Sequence, residues 1–344
     1  YYRGAVENNN VIFGGFCWKM VRTTETGGIK LIYNGSPTDG TCVNSAPTDF
    51  IIANSKFNDN TFDPAYDGYM YGNEGNVIGP SGYAKPVQVA SNAIFGKSYT
   101  YEDGIYTLID TFVPTATSGP QTGRFTCNSE AITCSQLYYV FDASSSNTFY
   151  PLLFKNGTLE EALESLRENQ KDSVIKKVVD KWFTDNILTS LSNLEDTVWC
   201  NYRYRLGEKQ NYSGNLTCAH ENDRFTVYSE NGNGDLTYPI ALMTKNEVSY
   251  AGVTGMSLKN DVDNYLYPDV FPTVSQAGVT MFLMSTYGYW VPGWIGIEYL
   301  GFGNGAGKQP FANVSGGVRP MISLKVGTAY KGGTGTSSDP YVIK

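Results

Sequence analysis

The chain has 344 residues, 41% of them hydrophobic, which is enough to bury a core and excludes a disordered chain. Charged residues are only 17% and the net charge is 25 − 33 = −8, with no Lys/Arg run beyond Lys176-Lys177, which excludes a phosphate-binding stripe and nucleic acid as a partner. No apolar run reaches the roughly 20 residues a bilayer crossing needs, and abundant Tyr and Gly (26 and 37) at low charge fit an extracellular, β-rich protein. The chain opens abruptly at Tyr1-Tyr2-Arg3 without a charged-plus-apolar leader, as expected of a mature or trimmed fragment.

In chain order, residues 11–34 read as a hairpin. Val11-Ile12-Phe13 and Phe16 to Arg22 form apolar runs, Glu25-Thr26-Gly27-Gly28 the turn, and Ile29 to Tyr33 the return strand, ended by Asn34-Gly35. Residues 36–150 are punctuated by Pro and Gly turns with short strands between them, such as Tyr106 to Ile109 and Leu137 to Phe141. Residues 158–195 are predicted helical. Thr158 and Glu161 form a capping box before Leu159, Leu163 and Leu166, and a break near Asp172-Ser173 starts a second helix. That helix carries Ile175, Val178, Val179, Trp182, Phe183 and Ile187 as a wide apolar stripe that needs a partner surface. Thr244 is predicted to cap a short helix through Glu247 to Ala251. The tail 332–344, rich in Gly, Ser and Thr, reads as a flexible end or linker.

Six cysteines fall into three close pairs along the chain, and sequential pairing (Cys17 with Cys42, Cys127 with Cys134, Cys200 with Cys218) is the simplest of the 15 connectivities. Disulfides point to an oxidising, extracellular or cell-surface location.

No catalytic constellation stands out. His220 is the lone histidine, in a polar loop beside Cys218, so a clustered metal site or a Ser-His-Asp arrangement has little to draw on. Carboxylate pairs such as Glu102-Asp103, Asp261 with Asp263, and the single Glu298 could serve glycoside hydrolysis, but nothing sets one apart. No cofactor is expected. Calcium enters only through two oxygen-rich turns, Asp59/Asn60/Asp63 and Asn231/Asn233/Asp235, neither of which matches a twelve-residue calcium loop and both of which ordinary turn chemistry explains.

The last quarter is the most telling stretch. Phe282 and Met284 read as inward-facing strand residues. Tyr287, Tyr289, Trp290, Trp294, Tyr299 and Phe302 lie among glycines, where display on loops of about 286–315 competes with core packing. Aromatic anchors of this kind serve both sugar stacking and protein recognition.

Two resemblances sharpen this reading. Tyr2-Arg3-Gly4, Phe13 to Arg22, Lys30 to Gly35, Leu194 to Asn201, Leu236 to Ile240, Glu247 to Gly252 and Gly317-Val318-Arg319-Pro320 resemble an uncharacterised family of surface or secreted proteins of gut-type Gram-positive bacteria. The closing pattern, a Trp-rich strand, loops and then Gly-Val-Arg-Pro, resembles the C-type-lectin-like fold of formylglycine-generating-enzyme relatives and of hypervariable receptor-binding proteins. The resemblance implies an α+β fold. It would be an elaborated C-type-lectin-like domain over 1–331, with a hairpin and loop-rich part at 1–157, helices at 158–195 and the closing part at 196–331. Arg319, with Trp18 and Trp199, would belong to the buried scaffold, and the preceding loops would bind the ligand. No cysteine follows Cys218, so the oxidase chemistry of those enzymes is not expected. The function implied is adhesin-like binding of a host extracellular protein, an immunoglobulin being one candidate, or of a glycan. The competing readings are a carbohydrate-active hydrolase and a surface-assembly module built on the apolar helix.

Overall fold

The computed structural model describes residues 1–44, 46–60, 64–66, 68–74, 161, 164–201, 203, 216, 218–252, 280–290, 294–301, 305–309 and 312–344, and short strands between 77 and 154. For 280, 287–290, 294–301, 305–309 and those short strands it describes the backbone alone.

The protein is β-rich with few helices. The first three strands are β1 (Asn10–Phe13), β2 (Phe16–Thr23) and β3 (Ile29–Tyr33), joined as consecutive antiparallel hairpins. Gly14 and Gly15 both have positive φ, as a two-residue hairpin turn of matching twist requires, and so Phe13 and Phe16 face each other across it. After β4 (Ala53–Lys56) the described chain continues to helix α1 (Val174–Asn186), strand β5 (Ile240–Leu242) and helix α2 (Lys245–Tyr250). Then follow β6 (Thr280–Trp290), β7 (Trp294–Gly301), β8 (Gly305–Gln309), β9 (Ser315–Val318), β10 (Pro320–Leu324) and β11 (Tyr341–Val342).

Two sheets organise these strands. One has the order β5-β10-β3-β2-β1-β11 and the other β8-β7-β6-β9-β4. The chain crosses from the second to the first between β9 and β10, at Arg319. Arg319 is buried. Its Nε donates to the Tyr33 carbonyl (2.7 Å) and its Nη2 to Asn34 Oδ1 (3.2 Å), which ties the crossing point to the end of β3. A buried guanidinium needs such acceptors, because an unpaired one would carry the full cost of losing water.

Helix α1 starts where Ser173 accepts from the Lys176 amide (3.1 Å), a side-chain N-cap. Its stripe is spent inside the protein. Ile175, Val179, Phe183 and Ile187 are buried, and Phe183 stacks on Tyr238. Trp182 sits among Phe16, Trp18 and Tyr33, so the helix packs this face on the first sheet. Helix α2 opens with a full capping box, Thr244 accepting from the Glu247 amide and Glu247 accepting from the Thr244 amide. The start of the earlier predicted helix, including Thr158, Leu159 and Leu163, lies outside the described residues, although Leu166 is buried.

The tail departs from its sequence reading. Residues 332–344 are docked against the first sheet. β11 pairs in parallel with β1 (Val11 with Tyr341, Ile12 with Val342), Asn10 donates through both its backbone amide (2.8 Å) and Nδ2 (2.9 Å) to the Gly335 carbonyl, and the Cys42 amide donates to Ser337. Gly332, Gly333 and Gly335 all have positive φ. These glycines make tight turns that fold the tail back onto β1, and composition alone cannot tell such turns from a loose linker.

Candidate functional site

Cys17–Cys42 and Cys200–Cys218 are disulfides, closing spans of 25 and 18 residues. The first fastens β2 to the loop that holds the tail. Cys134 lies outside the described residues, so the third expected pair falls there too.

The aromatic residues expected on loops are carried mainly by paired strands. Tyr287, Tyr289 and Trp290 belong to β6 and Trp294 and Tyr299 to β7, with Phe282 opposite Tyr299, Tyr289 opposite Ile295 and Trp290 opposite Trp294. Phe302 lies outside the described residues. Two register shifts, between Phe282 and Thr286 and between Thr286 and Gly288, break the ladder at mid-hairpin. Bulges of this kind bend and re-aim a ribbon. The base of the hairpin is fixed. Met281 to Thr286 are buried without alternation, so both faces of β6 are covered there, beyond the two inward residues expected. Phe282 stands edge-on to Phe57 and over Gly316, where a Cβ would approach its ring to 2.6 Å. β6 thus leaves the core as a rigid root and continues into the aromatic segment.

The described residues also hold three buried ionic groups that sequence reading missed. In the first, the Lys30 ammonium, fully buried, donates to Glu247 Oε1 (2.9 Å) and the Val198 carbonyl (3.2 Å), and rests 3.6 Å from the centre of the Trp199 ring. Arg22 approaches the same carboxylate oxygen at 3.5 Å and also pairs with Glu25. Burial opposes ionisation of Glu247, but the Lys30 and Arg22 cations and the Thr244 amide outweigh it and hold the carboxyl below its usual range. Burial pushes the Lys30 ammonium down, against the pull of Glu247. The only hint in the sequence is a lysine interrupting the apolar run Ile29-Lys30-Leu31-Ile32.

In the second group, all five guanidinium hydrogens of Arg203 find acceptors. These are Asp223 Oδ1 (2.7 Å), Asn169 Oδ1, and the carbonyls of Met70, Arg167 and Asn222. Asn169 takes a positive φ to serve this group and passes its Nδ2 to Asp235 (2.9 Å). Burial raises the Asp235 carboxyl, with Asn169 pulling it back. In the third, buried Lys176 bridges Asp172 and Asp180, and burial lifts Asp180 above the usual carboxylate range despite that partner. In each group the buried charges are held by internal partners, so removing one partner would strand the other without water.

The other candidates are accounted for similarly. Trp18 is buried and donates to the Phe13 carbonyl (2.9 Å), and Trp199 is buried under Lys30. In the turn that offered calcium ligands, Asn231 is bound to Asp196, Asn233 Oδ1 accepts from Thr226 and Asp235 amides, and Asp235 is bound to Asn169. In the other turn Asp63 lies outside the described residues, as do Glu102, Asp103, Asp261 and Asp263, while Glu298 sits on β7. Among the described residues no three of His, Cys, Asp and Glu gather as a metal site, and no helix is long and apolar enough to cross a membrane. Comparison of the chain with protein-family models, with curated proteins and with solved structures finds no match.

Proposed function

We propose that the chain is a secreted or cell-surface binding protein of adhesin type, an elaborated C-type-lectin-like domain whose aromatic β6–β7 hairpin binds a host extracellular protein or a glycan. The observation that supports this most is the division of β6: a root at Met281 to Thr286 packed on both faces, followed past two register shifts by Tyr287 and by Tyr289 and Trp290, which pair with the start of β7. A rigid root holding aromatic residues lowers the ordering entropy that a binding surface must lose. The two disulfides are compatible with an extracellular location.

The test is a binding screen of the purified chain on a glycan array and a host extracellular-protein array, with and without calcium. A saturable hit should disappear in the Trp294→Ala/Tyr299→Ala variant while the melting temperature stays near wild type. Retained binding in that variant, or a variant that unfolds, would remove the aromatic hairpin as the binding surface. Silence on both arrays counts against the adhesin reading.

A further inference from the structure

The asparagines of Asn-Gly steps are the most prone to spontaneous deamidation, because glycine leaves the attacking backbone nitrogen unshielded by a Cβ. The described residues contain three: Asn34-Gly35, Asn231-Gly232 and Asn233-Gly234. The fold treats them very differently.

Asn34 is buried, with its Oδ1 held by Arg319 and its carbonyl by Asn44. Asn233 has its Oδ1 accepting from two backbone amides and its Nδ2 bound to the Asn222 carbonyl. The nucleophile that would attack it, the Gly234 amide, is itself engaged with Thr226 Oγ1 (3.2 Å). Asn231 alone of the three is exposed, and its side chain is held through Nδ2 by Asp196 (3.0 Å). The Gly232 amide has no acceptor among the described residues. Arg224 Nη2 donates to the Asn231 carbonyl (3.3 Å), the oxygen of the same peptide group. A cation on that oxygen draws electron density from the peptide and makes the Gly232 N–H more acidic, which favours the amide anion that attacks.

We propose that Asn231 is a built-in deamidation site whose conversion loosens the turn it belongs to. The Gly232 nitrogen loses its proton to solvent base and forms a bond to Asn231 Cγ. The Cγ–Nδ2 bond breaks and ammonia leaves, giving a succinimide. Water then opens the ring at either carbonyl, leaving aspartate or isoaspartate. No oxidation or reduction is involved, and water is the sole co-reactant. The product places a carboxylate where an amide donor met Asp196. Asp196 also accepts from the Val227 amide (2.7 Å) and the Tyr228 amide (2.9 Å), so repulsion between two carboxylates acts on the residue that anchors this turn. Loss of the Nδ2 donor cannot be reversed in an extracellular protein without repair, so the change accumulates with age.

The experiment incubates the full chain in mildly alkaline buffer and follows each Asn-Gly peptide by mass spectrometry and isoaspartate labelling, folded and in denaturant. In the folded protein Asn231 should convert at least several-fold faster than Asn233 and Asn34, and in denaturant the three rates should converge. Asn231→Gln should abolish the fast phase, and Asn231→Asp should speed hydrogen exchange at the Val227 and Tyr228 amides. Equal rates at Asn231 and Asn233 in the folded protein would overturn the assignment, as would the same ordering in denaturant. Unchanged exchange in Asn231→Asp would overturn the loosening.

Discussion

Replacing Glu247 by Gln tests whether the first buried ionic group carries the weight its geometry implies. In the native protein Glu247 meets the Lys30 ammonium at 2.9 Å, Arg22 at 3.5 Å and the Thr244 amide at 3.2 Å, with both Lys30 and Glu247 essentially inaccessible to water. Glutamine keeps the shape and one acceptor oxygen but removes the negative charge, so the buried Lys30 ammonium is left without a counter-ion beside the Val198 carbonyl and the Trp199 ring. Breaking one side of a buried pair costs about 3–5 kcal/mol, because the remaining charge stays desolvated. With about 2–4 °C lost per kcal/mol in a large domain, the melting temperature should fall by about 10 °C. The pH dependence carries a definite sign. The folded-state pKa of Glu247 lies below its unfolded value, so its contribution is complete above the unfolded pKa and is lost as pH falls through the folded one. The gap between wild type and Glu247→Gln should therefore be widest at neutral pH and close under strongly acidic conditions. Thermal melts and urea titrations at neutral and acidic pH measure both. The double replacement Lys30→Met/Glu247→Met should recover part of the loss, since the Lys30 charge is gone and Arg22 keeps Glu25, although the Thr244 amide loses its acceptor. A Glu247→Gln variant within about 1 kcal/mol of wild type at neutral pH would refute the reasoning, and so would a double variant no more stable than the single one.

The same logic extends to two further perturbations. Arg203→Lys keeps the charge but supplies three donors where five acceptors wait, so at least two of them lose their Arg203 bond, and urea titration should show a loss of about 3 kcal/mol or more. Ending the chain after Gly327 removes the partner strand of β1 and the carbonyls that accept from Asn10 and Cys42, so hydrogen exchange should rise at the Asn10 and Cys42 amides and stability should fall; unchanged exchange at those amides would mean the tail is not docked in solution.

What could be read from the sequence is what short-range physics decides. The β2–β3 hairpin was legible because Glu25-Thr26-Gly27-Gly28 interrupts two apolar runs, whereas the tight Gly14-Gly15 turn between β1 and β2 went unread. The starts of α1 and α2 were legible because Ser173, and Thr244 with Glu247, satisfy helix-end amides three residues away. The sequential pairing of Cys17 with Cys42 and of Cys200 with Cys218 was legible from proximity along the chain. Tertiary structure alone decided the rest, because the partners are far apart in sequence and leave no local pattern. Glu247 looked like a helix cap, and it is also the counter-ion of a lysine 217 residues away. The aromatic, Gly-rich run after Ser285 looked like loops until the pairing of β6 with β7 turned most of it into a ribbon. The tail had a linker's composition, yet its glycines place Gly335 against Asn10 across 325 residues. Local spacing sets turns and caps by steric and hydrogen-bonding rules that act over a few residues. Which distant charge or strand edge meets which is settled only when burial leaves each polar group a single way to be satisfied.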